Sequence, residues 1–167
     1  MPSTYEKIAT ATVGTAGTSF LVMNSIPSTY TDLMLIINGS SASAMQVRMR
    51  LNNDSSSSYS STVMGTNGST ASGARSSSIT AMPIDYFATF TTASGSGVSI
   101  VQLMNYSNTT TFKNAVFRAN TAGSGVSVGS GLYASTNAIT RIDIISADGS
   151  TNISVGTTFN LYGIKAA

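Results

Sequence analysis

Ala44-Met45-Gln46-Val47-Arg48-Met49-Arg50-Leu51 is the stretch that decides the fold. Large apolar side chains occupy every second position, and small or polar side chains occupy the positions between them. Successive side chains of a β-strand point to opposite faces of the sheet, so this period of two predicts a strand with one buried face. The two arginines of the stretch then share the opposite face.

Similar short runs recur along the chain, rich in β-branched or aromatic residues and separated by Gly, Ser and Asn clusters. No window places apolar residues at helical spacing, so we expect no substantial helix. Segment 65–78 reads as a long loop, 79–90 as extended, and Asp148-Gly149 carries a hairpin-turn signal. We predict strands at 5–13, 18–23, 32–38, 44–51, 59–64, 98–105, 112–119, 126–133, 139–146 and 157–165.

About ten short strands at roughly 8–15-residue spacing are typical of an all-β fold, an antiparallel β-sandwich or jelly roll. The chain has 167 residues, which fits one domain, 1–167. A hydrophobic content of 41% argues against disorder.

Composition excludes most catalytic chemistries. The chain contains no Cys and no His, which removes thiolate nucleophiles, imidazole bases and the commonest metal ligands. The six acidic residues show no suggestive local arrangement; Asp54 and Asp148 read as turn residues, and Asp32 and Asp143 as strand ends or surface partners of arginine. The oxygens of 148–152 alternate as in calcium loops but lack the acidic ligands that should follow. We therefore predict no enzyme, no catalytic residue, no cofactor and no metal.

Only 8% of the residues are charged, against about 25% in an average protein. Lys and Arg form no cluster, so we expect no nucleic-acid partner. The longest apolar run, Leu33–Ile37, is far too short to span a bilayer, so we expect no membrane partner. The first residues lack the order of a signal peptide, which predicts a protein made in the cytoplasm.

Two groups of residues are candidate contact sites. Arg48 and Arg50 could meet a phosphate, a sugar acid or an acidic patch on another subunit; the alternative is a solvated outer face. The apolar and aromatic group at 82–90 could form a subunit contact, since aromatics and Met are enriched in interface cores; the alternative is the protein core. Its members are Met82, Tyr86, Phe87 and Phe90, with Ile84 beside them.

Three blocks resemble a group of small virion structural proteins of marine and cyanobacterial tailed phages. They are Tyr5–Thr10, Ile26–Leu33 and Phe159–Lys165, and Leu103–Asn108 is a looser match. The resemblance implies a β-sandwich of jelly-roll type whose first and last strands are close together, and it supplies no catalytic residues.

The resemblance implies a non-enzymatic structural protein located in the virion. No fibrous repeat or coiled-coil heptad is present to form a shaft, which favours a capsid decoration (cement) protein that bridges major capsid subunits. The alternative is a tail-fibre, spike or tail-adaptor component that binds a receptor or carbohydrate. By analogy we expect a homo-oligomer, a homotrimer, with the major capsid protein as its partner.

Overall fold

The computed structural model describes residues 4–92, 97–121 and 123–165, so both ends of the predicted domain lie outside the described residues. The described chain is all-β and contains no helix, and therefore no helix that could cross a membrane. The strands are β1 (Tyr5–Thr12), β2 (Phe20–Met23), β3 (Asp32–Gly39), β4 (Val47–Leu51), β5 (Tyr59–Thr66), β6 (Ser72–Ile79), β7 (Met82–Pro83), β8 (Gly97–Met104), β9 (Lys113–Thr121), β10 (Gly125–Tyr133), β11 (Ile142–Ser146) and β12 (Thr158–Ile164).

The strands form two antiparallel sheets. The large sheet has the order β1-β12-β3-β8-β9-β10-β5-β6, and the small sheet has the order β2-β11-β4-β7. One continuous hydrophobic core contains side chains from the inner faces of both, such as Leu35 of β3, Met49 of β4 and Phe159 of β12. The predicted β-sandwich is therefore confirmed.

The pairing of the strands identifies the sandwich as a jelly roll. β1 pairs with β12, β2 with β11, β3 with β8, and β4 with β7. Such nested pairing is that of one long hairpin rolled up so that its successive strands alternate between two sheets. Two insertions extend the large sheet: β5 and β6 lie between β4 and β7 in the chain, and β9 and β10 lie between β8 and β11.

Most predicted strands are present with small shifts at their ends, but the expectation for 65–78 is wrong. This segment completes β5 and then forms β6, an edge strand paired to β5 with Val63 opposite Ala74. The strand lies at an exposed edge of the sheet, and most of its residues are Gly, Ser and Ala. The sequence therefore shows no hydrophobic pattern that would indicate a strand. The ladder partner β5 supplies the order that the side chains do not encode.

Two further expectations need correction. In the segment 79–90, Ile79 ends β6 and Met82–Pro83 forms β7. The rest is not a strand: a turn follows β7, in which Ala88 N–H donates to the Asp85 carbonyl. The Asp148-Gly149 turn forms, with Gly149 at a φ of 72°, but it does not join a hairpin. The next strand, β12, lies in the other sheet.

The first and last strands lie side by side, as the resemblance implied. β1 and β12 pair from Tyr5 opposite Ile164 to Thr12 opposite Thr158. At the open end of this ladder, Lys165 Nζ lies 2.7 Å from a Glu6 carboxylate oxygen.

Candidate functional site

The outer face of the large sheet carries a broad apolar surface. Antiparallel register places side chains of five neighbouring strands in one row across β3, β8, β9, β10 and β5. The row consists of Ile36, Ile100, Arg118, Val128 and Met64. Four of its five members are apolar, and Val128 and Met64 are 55% and 66% exposed. We call this row and its flanking residues Met34, Val116 and Val126 the apolar face.

Between Gly125 and Leu132, strand β10 presents its larger side chains outward, whereas Tyr133 at its end is buried. Val126 and Val128 are exposed, while the inward positions of the strand include Gly129 and Gly131. An ordinary one-sided strand buries its apolar residues and exposes its small polar ones. In the reversed arrangement, apolar side chains are exposed to water. They contribute hydrophobic free energy only if another surface covers them.

The apolar face is shallow and poor in charge. A depression of about 270 Å³ lies in it, bordered by Met34, Ile100, Val116 and Val128, with Arg118 as its charged side chain. A shallow apolar surface with few charges is suited to contact with another protein surface rather than to enclosure of a small substrate.

The outer face of the small sheet has a different chemistry. Arg48 and Arg50 lie on it, both half-buried, which confirms that they share a face. In register, Ile145 of β11 lies opposite Phe20 on one side and Arg48 on the other. A depression of about 340 Å³ lies here, bordered by these residues together with Thr80 and Asp148. We call it the arginine depression.

The arginines of this face differ in their partners. Arg50 Nε donates to the Thr80 carbonyl at 3.1 Å. Arg141 Nε forms an ion pair at 2.7 Å with Asp143, whose side chain is fully buried. Arg48 has no hydrogen bond or ion pair to any of the described residues, and its Nε is buried.

The aromatic group at 82–90 is divided by the structure. Met82 and Phe90 are fully buried in the core, so the expectation that they contact a partner is wrong. Tyr86 and Phe87 are half-buried in the turn after β7, with ring centroids 4.9 Å apart. Phe87 is held by its N–H, which donates to the Ser127 hydroxyl at 3.0 Å. The structure does not join these residues to Arg48 and Arg50 in one site.

Each acidic side chain has a structural partner. Asp54 and Asp148 accept hydrogen bonds from nearby turn residues, which confirms the prediction for both. Asp143 pairs with arginine as expected, but it is buried rather than at the surface. The carboxylates and their partners are Glu6 with Lys165 and Tyr30, Asp32 with Asn105 and Gln102, Asp54 with Ser56 and Tyr133, Asp85 with Val47, Asp143 with Arg141, and Asp148 with Ser150 and Thr151.

The acidic groups do not assemble into a metal site in the part of the chain that the structure describes. The calcium-like oxygens of 148–152 serve the turn itself: Asp148 Oδ1 accepts from the N–H groups of Ser150 and Thr151 at 2.9 and 2.8 Å. The hydrogen bond from the Thr151 hydroxyl, together with these main-chain bonds, holds the pKa of Asp148 well below its ordinary value, so the group is ionised at neutral pH.

The apolar face was not predicted from the sequence. The alternation Val126-Ser127-Val128-Gly129 signals a strand but does not tell which set of side chains faces out. The available signal was the smallness of the intervening residues. Glycine in a strand often marks a position where another group approaches closely. The face of the strand that carries the glycines is therefore the face that packs against the core.

No protein-family model and no curated protein sequence matches the chain. A crystal structure of a human SPRY domain is similar over 99% of both chains, with 11% sequence identity and a TM-score of 0.38. This likeness is too distant to indicate a function.

Proposed function

We propose that the chain is a non-enzymatic structural subunit of a tailed-phage particle, a capsid decoration protein that associates through the apolar face with a second copy of itself. The observation that carries the proposal is the outward display of Val126, Val128 and Met64 on a jelly-roll sheet. Jelly rolls are the fold of many viral capsid domains, and they also occur in lectins and cupins.

The size of the large sheet supports self-association. Eight strands about 4.8 Å apart and about eight residues long give a face of roughly 1,000 Å². A stable interface of standard size covers about 800 Å² on each partner. The whole outer face, of which the five-strand apolar face is a part, therefore has the area that a stable dimer needs.

The low charge of the apolar face also favours a second copy as the occupant. A surface that meets its own copy must avoid like charges in opposition, and Arg118 is the one charged member of the central row. The use of all six carboxylates as structural hydrogen-bond acceptors supports a role without catalysis.

A tail-fibre, spike or tail-adaptor role is the second candidate. The arginine depression favours it, because a recessed cationic side chain on the same face as an exposed aromatic, Phe20, suits recognition of a charged ligand.

Immunogold labelling of the tailed-phage particles whose genome encodes the chain tests the proposal. We expect label on the head, together with a solution mass of a dimer or larger oligomer by light scattering. Label on the tail would support the second candidate and overturn the first. Purified particles that carry no label would overturn both.

A further inference from the structure

Arg48 is the arginine of the small sheet whose charge lacks a partner. No hydrogen bond or ion pair joins its guanidinium to a described residue, and its Nε is buried. A cation that is partly removed from water without a counter-charge costs free energy. Arg50 and Arg141, on the same face, are each paired: Arg50 with the Thr80 carbonyl and Arg141 with Asp143.

The carboxyl group coupled electrostatically to Arg48 is a weak counter-charge. Asp85 is fully buried, and desolvation raises its pKa well above the ordinary value of 3.8, which opposes its ionisation. Both of its oxygens accept from the Val47 N–H, at 2.9 and 3.0 Å, rather than from Arg48. The positive charge of Arg48 is therefore available to a ligand from outside.

We propose that the arginine depression binds a carboxylate, held by the guanidinium of Arg48 over the floor formed by Ile145. The site is independent of the apolar face and of where in a particle the chain is located. A planar guanidinium matches a carboxylate with two parallel hydrogen bonds, which makes arginine the usual residue for this purpose.

The charges around the depression favour a single negative charge. Arg48, Arg50 and Asp148 border it, which leaves one net positive charge. A carboxylate balances this charge, whereas a phosphate dianion would exceed it and would meet the ionised Asp148.

The apolar side of the depression admits a ring. Phe20 is 42% exposed and stands two strands from Arg48, or about 10 Å away. The space between them suits one acidic monosaccharide, with its carboxylate on Arg48 and its C–H face against the aromatic ring. The same carboxylate chemistry could also come from an acidic side chain of a neighbouring protein.

Titration of the ¹⁵N-labelled protein with sodium glucuronate, sodium acetate and glucose tests the site by amide chemical shifts. We expect saturable shifts of the Arg48 and Ile145 amides with the carboxylates and none with glucose. Arg48→Gln should weaken binding at least about tenfold, because a hydrogen-bonded charge is lost. Arg118→Gln, on the large sheet, is the matched control and should bind as the unaltered chain does.

The same titration distinguishes the two sources of the carboxylate, a sugar acid and an acidic side chain of a protein. Glucuronate binding that is tighter than acetate binding, and weakened by Phe20→Ala, assigns the site to a sugar acid. Equal binding of the two assigns it to a protein carboxylate, and both results support the proposal. The absence of saturable shifts with either carboxylate, equal binding of glucose, or unchanged binding by Arg48→Gln would overturn it.

Discussion

A Cβ atom at Gly131 of β10 would lie 2.3 Å from the sulfur of Met82 of β7. The two residues face each other across the sandwich, Met82 from the small sheet and Gly131 from the large one. The space that glycine leaves empty is filled by the Met82 side chain, which is fully buried. This contact fixes how closely the two sheets approach at β10.

Gly131→Ala should lower the free energy of unfolding by about 1–3 kcal/mol, because an added methyl group overpacks the core. Urea denaturation measures the loss. Gly68→Ala is the control: a Cβ there meets nothing within 4 Å, so its effect should be small.

The double variant Gly131→Ala with Met82→Ala tests the contact itself. The shortened side chain at 82 makes room for the new methyl group, so the combined loss should be smaller than the sum of the two single losses. Strictly additive losses would show that the two residues do not compete for the same space.

The sequence was sufficient to predict the sandwich because its inner strands alternate strongly. Val47, Met49 and Leu51 are buried while Arg48 and Arg50 between them are not, as the period of two requires. Such strands are specified by their own side chains. The nested pairing that makes a jelly roll was expected from the resemblance and from strand spacing, since periodicity within a strand does not name its neighbour.

The features that the sequence did not predict depend on pairing with another strand or on how the side chains pack in the folded chain. The strand β6 is mostly Ser, Gly and Ala and is ordered by pairing to β5, so no local pattern marks it. The burial of Met82 and Phe90 follows from how the turn at 84–88 enters the sandwich. The lack of a hydrogen bond to the buried Nε of Arg48 results from packing, which the composition of the chain does not reveal.

Asp85 should make stability depend on pH. Burial raises the pKa of its carboxyl above the ordinary value of 3.8, so the folded state holds the proton more tightly than the unfolded state. Its contribution to stability is then fully present below about pH 3.8 and is lost as the pH rises through the folded-state pKa, with a slope of up to about 1.4 kcal/mol per pH unit.

Asp85→Asn removes this proton equilibrium and keeps an oxygen that can accept from the Val47 N–H. The difference in unfolding free energy between the unaltered chain and Asp85→Asn should fall from pH 3.5 toward pH 8, measured by urea denaturation at each pH. A difference that does not change with pH, or that rises, would mean that Asp85 is not the group that titrates.

Lys113 joins two loops at one end of the large sheet. Its side chain is fully buried, and Nζ donates to the carbonyls of Asn108, Thr111 and Thr136 at 2.6, 2.8 and 3.1 Å. The first two carbonyls precede β9, and the third follows β10. One ammonium group therefore supplies all three of its donors to main-chain acceptors that have few alternatives.

Lys113→Met should cost at least about 2 kcal/mol, because it leaves partly buried carbonyls without a donor. Lys7→Met is the matched control, since Lys7 is exposed on the edge strand β1, and its effect should stay within about 0.5 kcal/mol. Hydrogen exchange adds a local measurement. The Ile139 amide, which donates to the Tyr106 carbonyl, should lose protection in Lys113→Met before the strands do, and uniform loss over the whole chain would contradict the local role.

Substitutions on the apolar face should prevent assembly of the chain without affecting its folding. Met64 and Val128 lie opposite each other on β5 and β10 and are exposed in the single chain. Their replacement by glutamate changes no core contact, so each single variant should unfold within about 0.5 kcal/mol of the unaltered chain. In an assembly that covers the face, the same glutamate would be removed from water at a cost of several kcal/mol, which the neighbouring Arg118 would offset only in part.

Met64→Glu and Val128→Glu should therefore be fully folded and monomeric at concentrations where the unaltered chain is oligomeric. Light scattering gives the mass, and circular dichroism confirms the fold. Thr70→Glu, in the exposed β5–β6 loop, adds the same charge away from the apolar face and should leave the oligomer intact. If all three variants assemble like the unaltered chain, the second copy does not cover this face; if Thr70→Glu also dissociates the oligomer, added charge alone explains the effect.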